Sequence, residues 1–226
     1  MKKRDPVVAD IAVLALAALM YIALISPFNV TNAVNTGTQP KFYGKGEAVA
    51  LVIMLTWDAG AVDRILNTAE KTDLKLSFAV SGDWAAEHPT KISMVYEEGH
   101  EILIARNSVS LDTPEEALDE LERSADIIER ITGERPTYFY CAGEFDRNYI
   151  RAAAKAGLKT VSETVDLDSA SGTSEDIIDR LASCAKKGSF ITCLPTAAFS
   201  DALPYFEEII KKMGLDIVSV HKMLYN

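Results

Sequence analysis

Residues 48–60 read AVALVIMLTWDAG, an unbroken apolar run that leads into Trp57 and Asp58. A run of this kind is typical of a strand that is buried on both faces of a parallel sheet. Asp58 comes where the strand should end and is followed by two small residues. A carboxylate at such a position is either half of a catalytic carboxylate pair or the first residue of a turn. The local sequence alone leaves both interpretations open.

The same kind of strand recurs along the chain in alternation with amphipathic helices. The predicted strands cover residues 49–56, 74–80, 101–105, 137–141, 159–164, 189–194 and 216–220. The predicted helices cover residues 61–72, 84–98, 114–132, 146–156, 174–186 and 201–213. Strands separated by single helices predict an α/β fold with a parallel sheet. The periodicity does not decide between a closed barrel and an open, doubly wound sheet.

Side chains at the predicted strand ends are the first candidates for chemistry, because parallel sheets place their ligand sites at the carboxyl edge. Asp58 and Asp166 are carboxylates directly at predicted strand ends, and Asp168 follows two residues later. Two carboxylates at one edge can do general acid–base work or hold a metal ion. The alternative is again structural, since Asp after a strand is a common turn former or helix N-cap.

Composition narrows the function classes. The formal net charge of −10 gives the protein no electrostatic reason to bind nucleic acid. The histidines and cysteines lack the close spacing of a zinc site or a redox pair. They are His88, His100, His221, Cys141, Cys184 and Cys193. Buried thiols that act as small apolar side chains account for the cysteines.

The N-terminus predicts a membrane anchor. A basic cluster at residues 2–4 precedes residues 7–25, which are apolar except for Asp10, and Pro27 should end the helix. About 19 helical residues span roughly 28 Å, close to the thickness of the bilayer hydrocarbon core. The basic cluster predicts a cytoplasmic N-terminus in a single-pass protein of the cell membrane, with the remaining chain outside the cytoplasm. A signal peptide cleaved near 31–33 and an ordinary buried helix are the alternatives.

This interpretation divides the chain into three parts. Residues 1–27 are the basic end and anchor, residues 28–47 are a polar linker, and residues 48–226 are the folded domain.

Four segments carry a family resemblance: LVIMLTWDAG (51–60), a W-x-x-x-H-P stretch with the later GHEI (84–102), GEFDRNYIRAAAKAGLKTV (143–161) and ALPYFEEIIKKMGLDIVSVHKML (202–224). In this order they resemble the polysaccharide deacetylases with a NodB-homology domain, carbohydrate esterase family 4, and most closely the sporulation-type subgroup. The resemblance covers roughly residues 45–224. It implies a distorted (β/α) barrel of the glycoside hydrolase–deacetylase type, preceded here by the predicted transmembrane helix.

The family motifs imply a metal site that this chain has lost. In the family, the first Asp of T-F-D-D-G is the catalytic base, and the second binds a metal, usually zinc, together with two His of H-x-x-x-H. Asp58 falls on the base and Ala59 on the metal-binding Asp. The two His fall on Asn107 and Leu111 when two extra residues are allowed after GHEI. The resemblance therefore implies no cofactor in this chain, because the ligands are not retained.

The remaining catalytic motifs are replaced as well. The Arg of R-P-P-Y-G falls on Phe139, the Trp–Asp pair on Ser169-Ala170, and the final His on Leu194. Of the motif side chains, Asp58 alone survives. Catalytic groups that act as a unit lose most of their effect when several are missing, so deacetylation by the family mechanism is not expected.

The favoured hypothesis is a membrane-tethered, catalytically inactive deacetylase-like domain of the cell envelope. It would bind peptidoglycan, spore-cortex glycan or an envelope protein. We call the carboxyl edge of the predicted barrel its mouth. The residues expected there, besides Asp58, are Trp57, Asn107, Phe139, Tyr140, Asp166 and Leu194. The aromatic side chains among them are candidates for stacking on sugar rings, and plain core filling is the alternative.

Two other hypotheses remain open. One is an active metal-dependent N-deacetylase with a rearranged site, in which Asp58, Asp166, Asp168, Asn107 and His100 would converge. The other is an assembly protein whose acidic helix, residues 115–130, contacts a partner. For that helix, a solvated charged face is the alternative.

Overall fold

The computed structural model describes residues 43–56, 59–107, 113–143, 146–167 and 171–225. The predicted anchor at 7–25 and most of the predicted linker lie outside these ranges. Within them, no helix is both long enough and apolar enough to cross a bilayer. The assignment of an anchor therefore stays a prediction.

The described residues form strands and helices mostly in the predicted alternation, but the strands at 159–162 and 165–166 follow each other without a helix, and the strand predicted at 216–220 ends at Ile217, with a helix from Val220. The strands are β1 (Ala48–Leu55), β2 (Ser77–Val80), β3 (Glu101–Ala105), β4 (Tyr138–Cys141), β5 (Lys159–Ser162), β6 (Val165–Asp166), β7 (Phe190–Cys193) and β8 (Asp216–Ile217). The helices are α1 (Val62–Lys71), α2 (Gly82–Glu87), α3 (Pro89–Glu97), α4 (Pro114–Thr132), α5 (Arg147–Lys155), α6 (Ser174–Cys184), α7 (Ala197–Ala202), α8 (Phe206–Lys212) and α9 (Val220–Tyr225).

The sheet is parallel throughout the described pairings. Its strand order is β5-β4-β3-β2-β1-β7-β6, and the short β8 pairs with the beginning of β1. The run that opens the sequence, β1, lies near the middle, with Val52 opposite Ser77 of β2 and Thr192 of β7. A strand with neighbours on both sides and helices over the outer face has no polar face, which explains its unbroken apolar sequence.

The connection from β5 to β6 forces the sheet to curl. These strands lie at opposite ends of the strand order, yet only Glu163 and Thr164 separate them. An extended chain can hold Ser162 and Val165 no more than about 11 Å apart, so the two ends of the sheet must be neighbours. The result is a curled half-barrel, in which the described strand pairings end at β5 and β6. We call the connection at Glu163 and Thr164 the seam.

Alternate residues of each strand face two different apolar clusters. Leu51 and Ile53 belong to the outer cluster, which packs beneath the helices. Val52, Tyr138 and Tyr140 belong to the inner cluster, inside the curl of the sheet. Because side chains of a strand alternate in direction, a single run such as β1 supplies both clusters.

Two predicted helices are divided, in each case at a proline. The helix predicted at 84–98 is α2 and α3, because His88 precedes Pro89 and takes a non-helical conformation with φ −128° and ψ 52°. The helix predicted at 201–213 is replaced by α7, a 3₁₀ turn at Leu203–Tyr205 that contains Pro204, and α8. By contrast, α4 has the predicted bounds, with a capping box at Thr113.

Candidate functional site

The candidate site lies at the carboxyl edge of the sheet, where the family motifs fall. Trp57, Asp58 and Leu111 lie outside the described residues, as do residues 168–170, so their predicted roles stay predictions. Ala59 is described, and its methyl group packs partly buried against the outer cluster. A methyl group offers no lone pair to a metal ion.

Asn107 follows β3 and is held by two carboxylates. Its backbone N–H donates to Glu120 Oε1 at 2.8 Å, and its side-chain Nδ2 donates to Asp83 Oδ2 at 2.8 Å. The other oxygen of Asp83 forms an ion pair with Arg123 Nη1 at 2.9 Å. Asn107, which the motifs predict to stand at the position of a metal-binding His, therefore connects α2, β3 and α4.

Glu120 is the buried anchor of this arrangement. The residue is 7% exposed, and its second oxygen accepts the hydroxyl proton of Tyr149 at 2.6 Å. Burial and the neighbouring Glu120 carboxylate raise the pKa of Tyr149 well above its usual range, so the hydroxyl remains a donor at neutral pH. We call Asp83, Asn107, Glu120, Arg123 and Tyr149 the amide network. Sequence reasoning did not find Glu120, which occupies one position in a run of acidic helix residues.

Two of the residues expected at the mouth are core residues. Phe139 is fully buried in the outer cluster, where its ring stacks on Tyr149 with centroids 5.7 Å apart and planes 12° apart. Tyr140 is 1% exposed in the inner cluster. Neither ring presents a face to a sugar, because adjacent residues of the four-residue β4 point into the two apolar clusters. The core-filling alternative describes both.

A second set of polar residues is joined by hydrogen bonds at the seam. Glu163 accepts the Gly143 N–H at 2.6 Å with one oxygen and the Thr192 hydroxyl proton at 2.7 Å with the other. The Tyr140 hydroxyl lies 2.8 Å from Thr192 Oγ1. The only hydroxyl proton of Thr192 lies in its hydrogen bond to Glu163, so in the bond between Tyr140 and Thr192 the Tyr140 hydroxyl is the donor. We call this directed chain from Tyr140 to Glu163 the seam relay.

Asp166 and Leu194 lie beside the seam relay. Asp166 is exposed and is paired in register with Thr192, whereas Leu194 follows β7 and is half-buried. Nearby, burial raises the pKa of the Cys193 thiol well above its usual range, so this cysteine is an apolar residue at neutral pH. In the strand order, β2 and β1 lie between β3, which Asn107 follows, and β7, which Leu194 follows.

His100 does not join the site, so the rearranged-site hypothesis is wrong for this residue. It precedes β3 and lies at the amino edge, the length of a five-residue strand away from Asn107, or roughly 16 Å. Its Nδ1 accepts the backbone N–H of Leu76 at 3.2 Å, and its ring contacts the edge of Phe78. The histidine is therefore a buried framework residue.

The buried imidazole predicts a loss of stability in weak acid. Burial first, and the positive charge of Lys75 second, lower the pKa of His100 from 6.5 to about 4. Between those values the unfolded chain binds a proton that the folded chain does not, so stability is full above pH 6.5 and falls as the pH drops. We expect this histidine to lower the free energy of unfolding by about 2 kcal/mol between pH 6.5 and 5.

Urea unfolding of the unchanged chain and of His100→Asn at both pH values measures this contribution. The variant should lose the part of the pH dependence that His100 supplies. Equal pH dependence in the two proteins would show that the imidazole binds its proton over the same pH range in the folded and the unfolded chain, so that burial does not lower its pKa.

The residues at the mouth do not fit the zinc ion of the family. Ala59 cannot coordinate, Leu111 has an apolar side chain, and the Asn107 amide is engaged with a carboxylate. Across the described parts of the chain, no group of three or more His, Cys, Asp or Glu side chains is placed to hold a metal ion.

Comparison with known proteins agrees with this fold. The sequence model of the polysaccharide deacetylase family matches residues 45–161, just over half of the chain, and the chain belongs to this family. The family assignment made from the motifs is thereby confirmed, while the sporulation-type subgroup stays a prediction. The chain is 24% identical over 181 residues to the uncharacterized protein YlxY of Bacillus subtilis, covering 78% of this chain but 57% of that protein.

Three solved structures show the same fold. The wild-type BA3943 protein of Bacillus anthracis, a carbohydrate esterase family 4 pseudoenzyme, is 22% identical with a TM-score of 0.77, covering 82% of this chain and 69% of that chain. A BA3943 mutant with restored enzymatic activity has a TM-score of 0.78. The peptidoglycan deacetylase PdaC of Bacillus subtilis is 24% identical with a TM-score of 0.66, covering 78% and 89% of the two chains. At these identities the likeness establishes the curled parallel fold.

Proposed function

We propose that this chain is a membrane-tethered, polysaccharide-deacetylase-like protein of the cell envelope that binds cell-wall glycan without deacetylating it. One observation carries the proposal. Asn107, at the position of a metal-binding His, donates its amide proton to Asp83 and its backbone proton to Glu120. A side chain fixed in this way stabilises the loop after β3 and leaves no imidazole for a metal, while the curled scaffold is retained.

The choice of glycan rests on the family and its members. PdaC is a peptidoglycan deacetylase, and BA3943 is a pseudoenzyme of the same fold. The location rests on the predicted anchor at 7–25, which would place the folded domain outside the cytoplasm. Vegetative peptidoglycan and spore cortex share the N-acetylated glycan that the family recognises, so either could be the ligand. An envelope protein is the other partner expected from the sequence.

Sedimentation with purified peptidoglycan, together with an assay for released acetate, tests this function. The full chain in detergent should sediment with the glycan and release no acetate above background. The variant Asp58→Asn should sediment equally well, since binding does not need a base. Release of acetate that this variant abolishes would identify an active deacetylase. A chain that remains in the supernatant with both vegetative and cortex peptidoglycan would overturn glycan binding and favour a protein partner.

A further inference from the structure

Glu163 is a polar residue at the mouth that no family motif covers. It belongs to the two-residue seam that follows the carboxyl end of β5 and leads directly into β6, and its side-chain partners Gly143 and Thr192 lie at the carboxyl ends of β4 and β7. The residue is half-buried, so it is partly open to solvent. Its backbone N–H donates to the carbonyl of Cys141 at 3.3 Å, which ties the seam to the end of β4.

The carboxylate of Glu163 is fixed by donors from both sides of the seam. Gly143, in the loop after β4, donates to one oxygen, and Thr192 of β7 donates to the other. Hydrogen bonds to an ionised acceptor are the stronger kind, and two of them from different elements hold the side chain in one orientation. A group that is already oriented loses little conformational entropy when a ligand binds, which favours its use in recognition.

The direction of the seam relay determines what Glu163 can bind. The Tyr140 hydroxyl donates a hydrogen bond to Thr192, and the Thr192 hydroxyl donates one to Glu163. The carboxylate end is therefore an acceptor only, and each of its oxygens has lone-pair capacity beyond the bond from Gly143 or Thr192. The matching ligand groups are neutral donors, such as the hydroxyl and acetamido N–H groups of a sugar. A carboxylate on the ligand would be repelled.

We propose that Glu163 is a ligand-contacting residue of the mouth, which accepts hydrogen bonds from the hydroxyl or acetamido N–H groups of an uncharged, N-acetylated glycan. This inference rests on the proposed function, and it names the residue and the class of sugar that the site prefers. Thr192 is a positioning residue, because it orients the carboxylate and does not reach the ligand.

Titration calorimetry of the full chain in detergent with the tetramer of N-acetylglucosamine tests the inference. The variant Glu163→Gln should bind at least tenfold more weakly, because the amide nitrogen replaces one acceptor oxygen. Thr192→Val should weaken binding about threefold, because it frees the carboxylate to rotate without removing it. Glu134→Gln is the matched control: Glu134 is an exposed carboxylate at the amino edge that, like Glu163, accepts a hydrogen bond from a hydroxyl group, here that of Tyr96. It should leave the Kd unchanged.

The outcomes separate this inference from the proposed function. A chain that binds the tetramer and whose Glu163→Gln variant binds it equally well would overturn the role of Glu163 and leave glycan binding standing. An unchanged chain that binds neither the tetramer nor peptidoglycan would overturn both. A purely structural role predicts lower melting temperatures for Glu163→Gln and Thr192→Val with the same Kd in the folded fraction, and that result would also reject the contact.

Discussion

The variant that combines Ala59→Asp, Asn107→His and Leu111→His is expected to bind one zinc ion with a Kd of about 1 µM or tighter. The unchanged chain should show no site below about 1 mM. This difference of about a thousandfold corresponds to about 4 kcal/mol. One carboxylate and two imidazoles are a common protein ligand set for zinc, with the fourth position left to water. Each substitution supplies a donor where the chain now has a methyl group, an engaged amide or an apolar side chain.

Calorimetric zinc titration measures this, with Asn107→His alone as the control. A single imidazole should not bind zinc measurably, and it also breaks the bond from Asn107 to Asp83. If the triple variant is folded, as judged by its melting curve, and still binds no zinc, the positions assigned from the family motifs are incorrect. A sub-micromolar site in the unchanged chain would instead reopen the possibility of an active hydrolase.

The second large effect is expected at Glu120, whose replacement by alanine should lower the free energy of unfolding by about 4 kcal/mol. The change removes the acceptor of the buried Tyr149 hydroxyl and of the Asn107 N–H. Each buried donor left without an acceptor costs about 1–3 kcal/mol, and the lost side chain leaves a cavity. Glu120 is 7% exposed and Tyr149 is fully buried, so water does not readily replace the lost carboxylate.

Urea unfolding with Glu122→Ala as the control tests this value. Glu122 lies on the same helix two residues later and is exposed, so its change should fall within about 0.5 kcal/mol of zero. The conservative variant Glu120→Gln keeps one acceptor oxygen and should lie between the two. A loss below about 1 kcal/mol for Glu120→Ala would mean that the amide network does not stabilise the fold.

Much of the fold could be predicted because its signals are local. The helix at 114–132 has its predicted bounds since Thr113 and Gly133 supply a capping box and a left-handed C-cap with φ 79°. The parallel sheet follows from the alternation of apolar runs with amphipathic helices. The helix at 84–98 was predicted whole because its apolar spacing continues through His88, whereas the conformational restriction before Pro89 divides it.

The candidate site, like the fold, could be predicted only in part from the sequence. The motifs predict that Asp58 is the surviving catalytic position and that Ala59, Asn107 and Leu111 stand where the family has its metal ligands. They did not show that Phe139 is buried, because a four-residue strand of aromatic residues has no polar face to mark its orientation. Nor did they separate Glu163 from the many other acidic residues of a chain with net charge −10.

The repeating strands and helices and the family can be read from the sequence without the structure, and the sequence also predicts the loss of the metal ligands. These depend on side-chain type and on spacing within a few residues. The tertiary structure alone decided which side chains meet at the mouth. Glu163 accepts hydrogen bonds from Gly143 and Thr192, which are 20 and 29 positions away in the chain, and Asn107 donates one to Asp83, 24 positions away. Such contacts exist because a two-residue connection between opposite ends of the strand order curls the sheet, and no local pattern encodes that order.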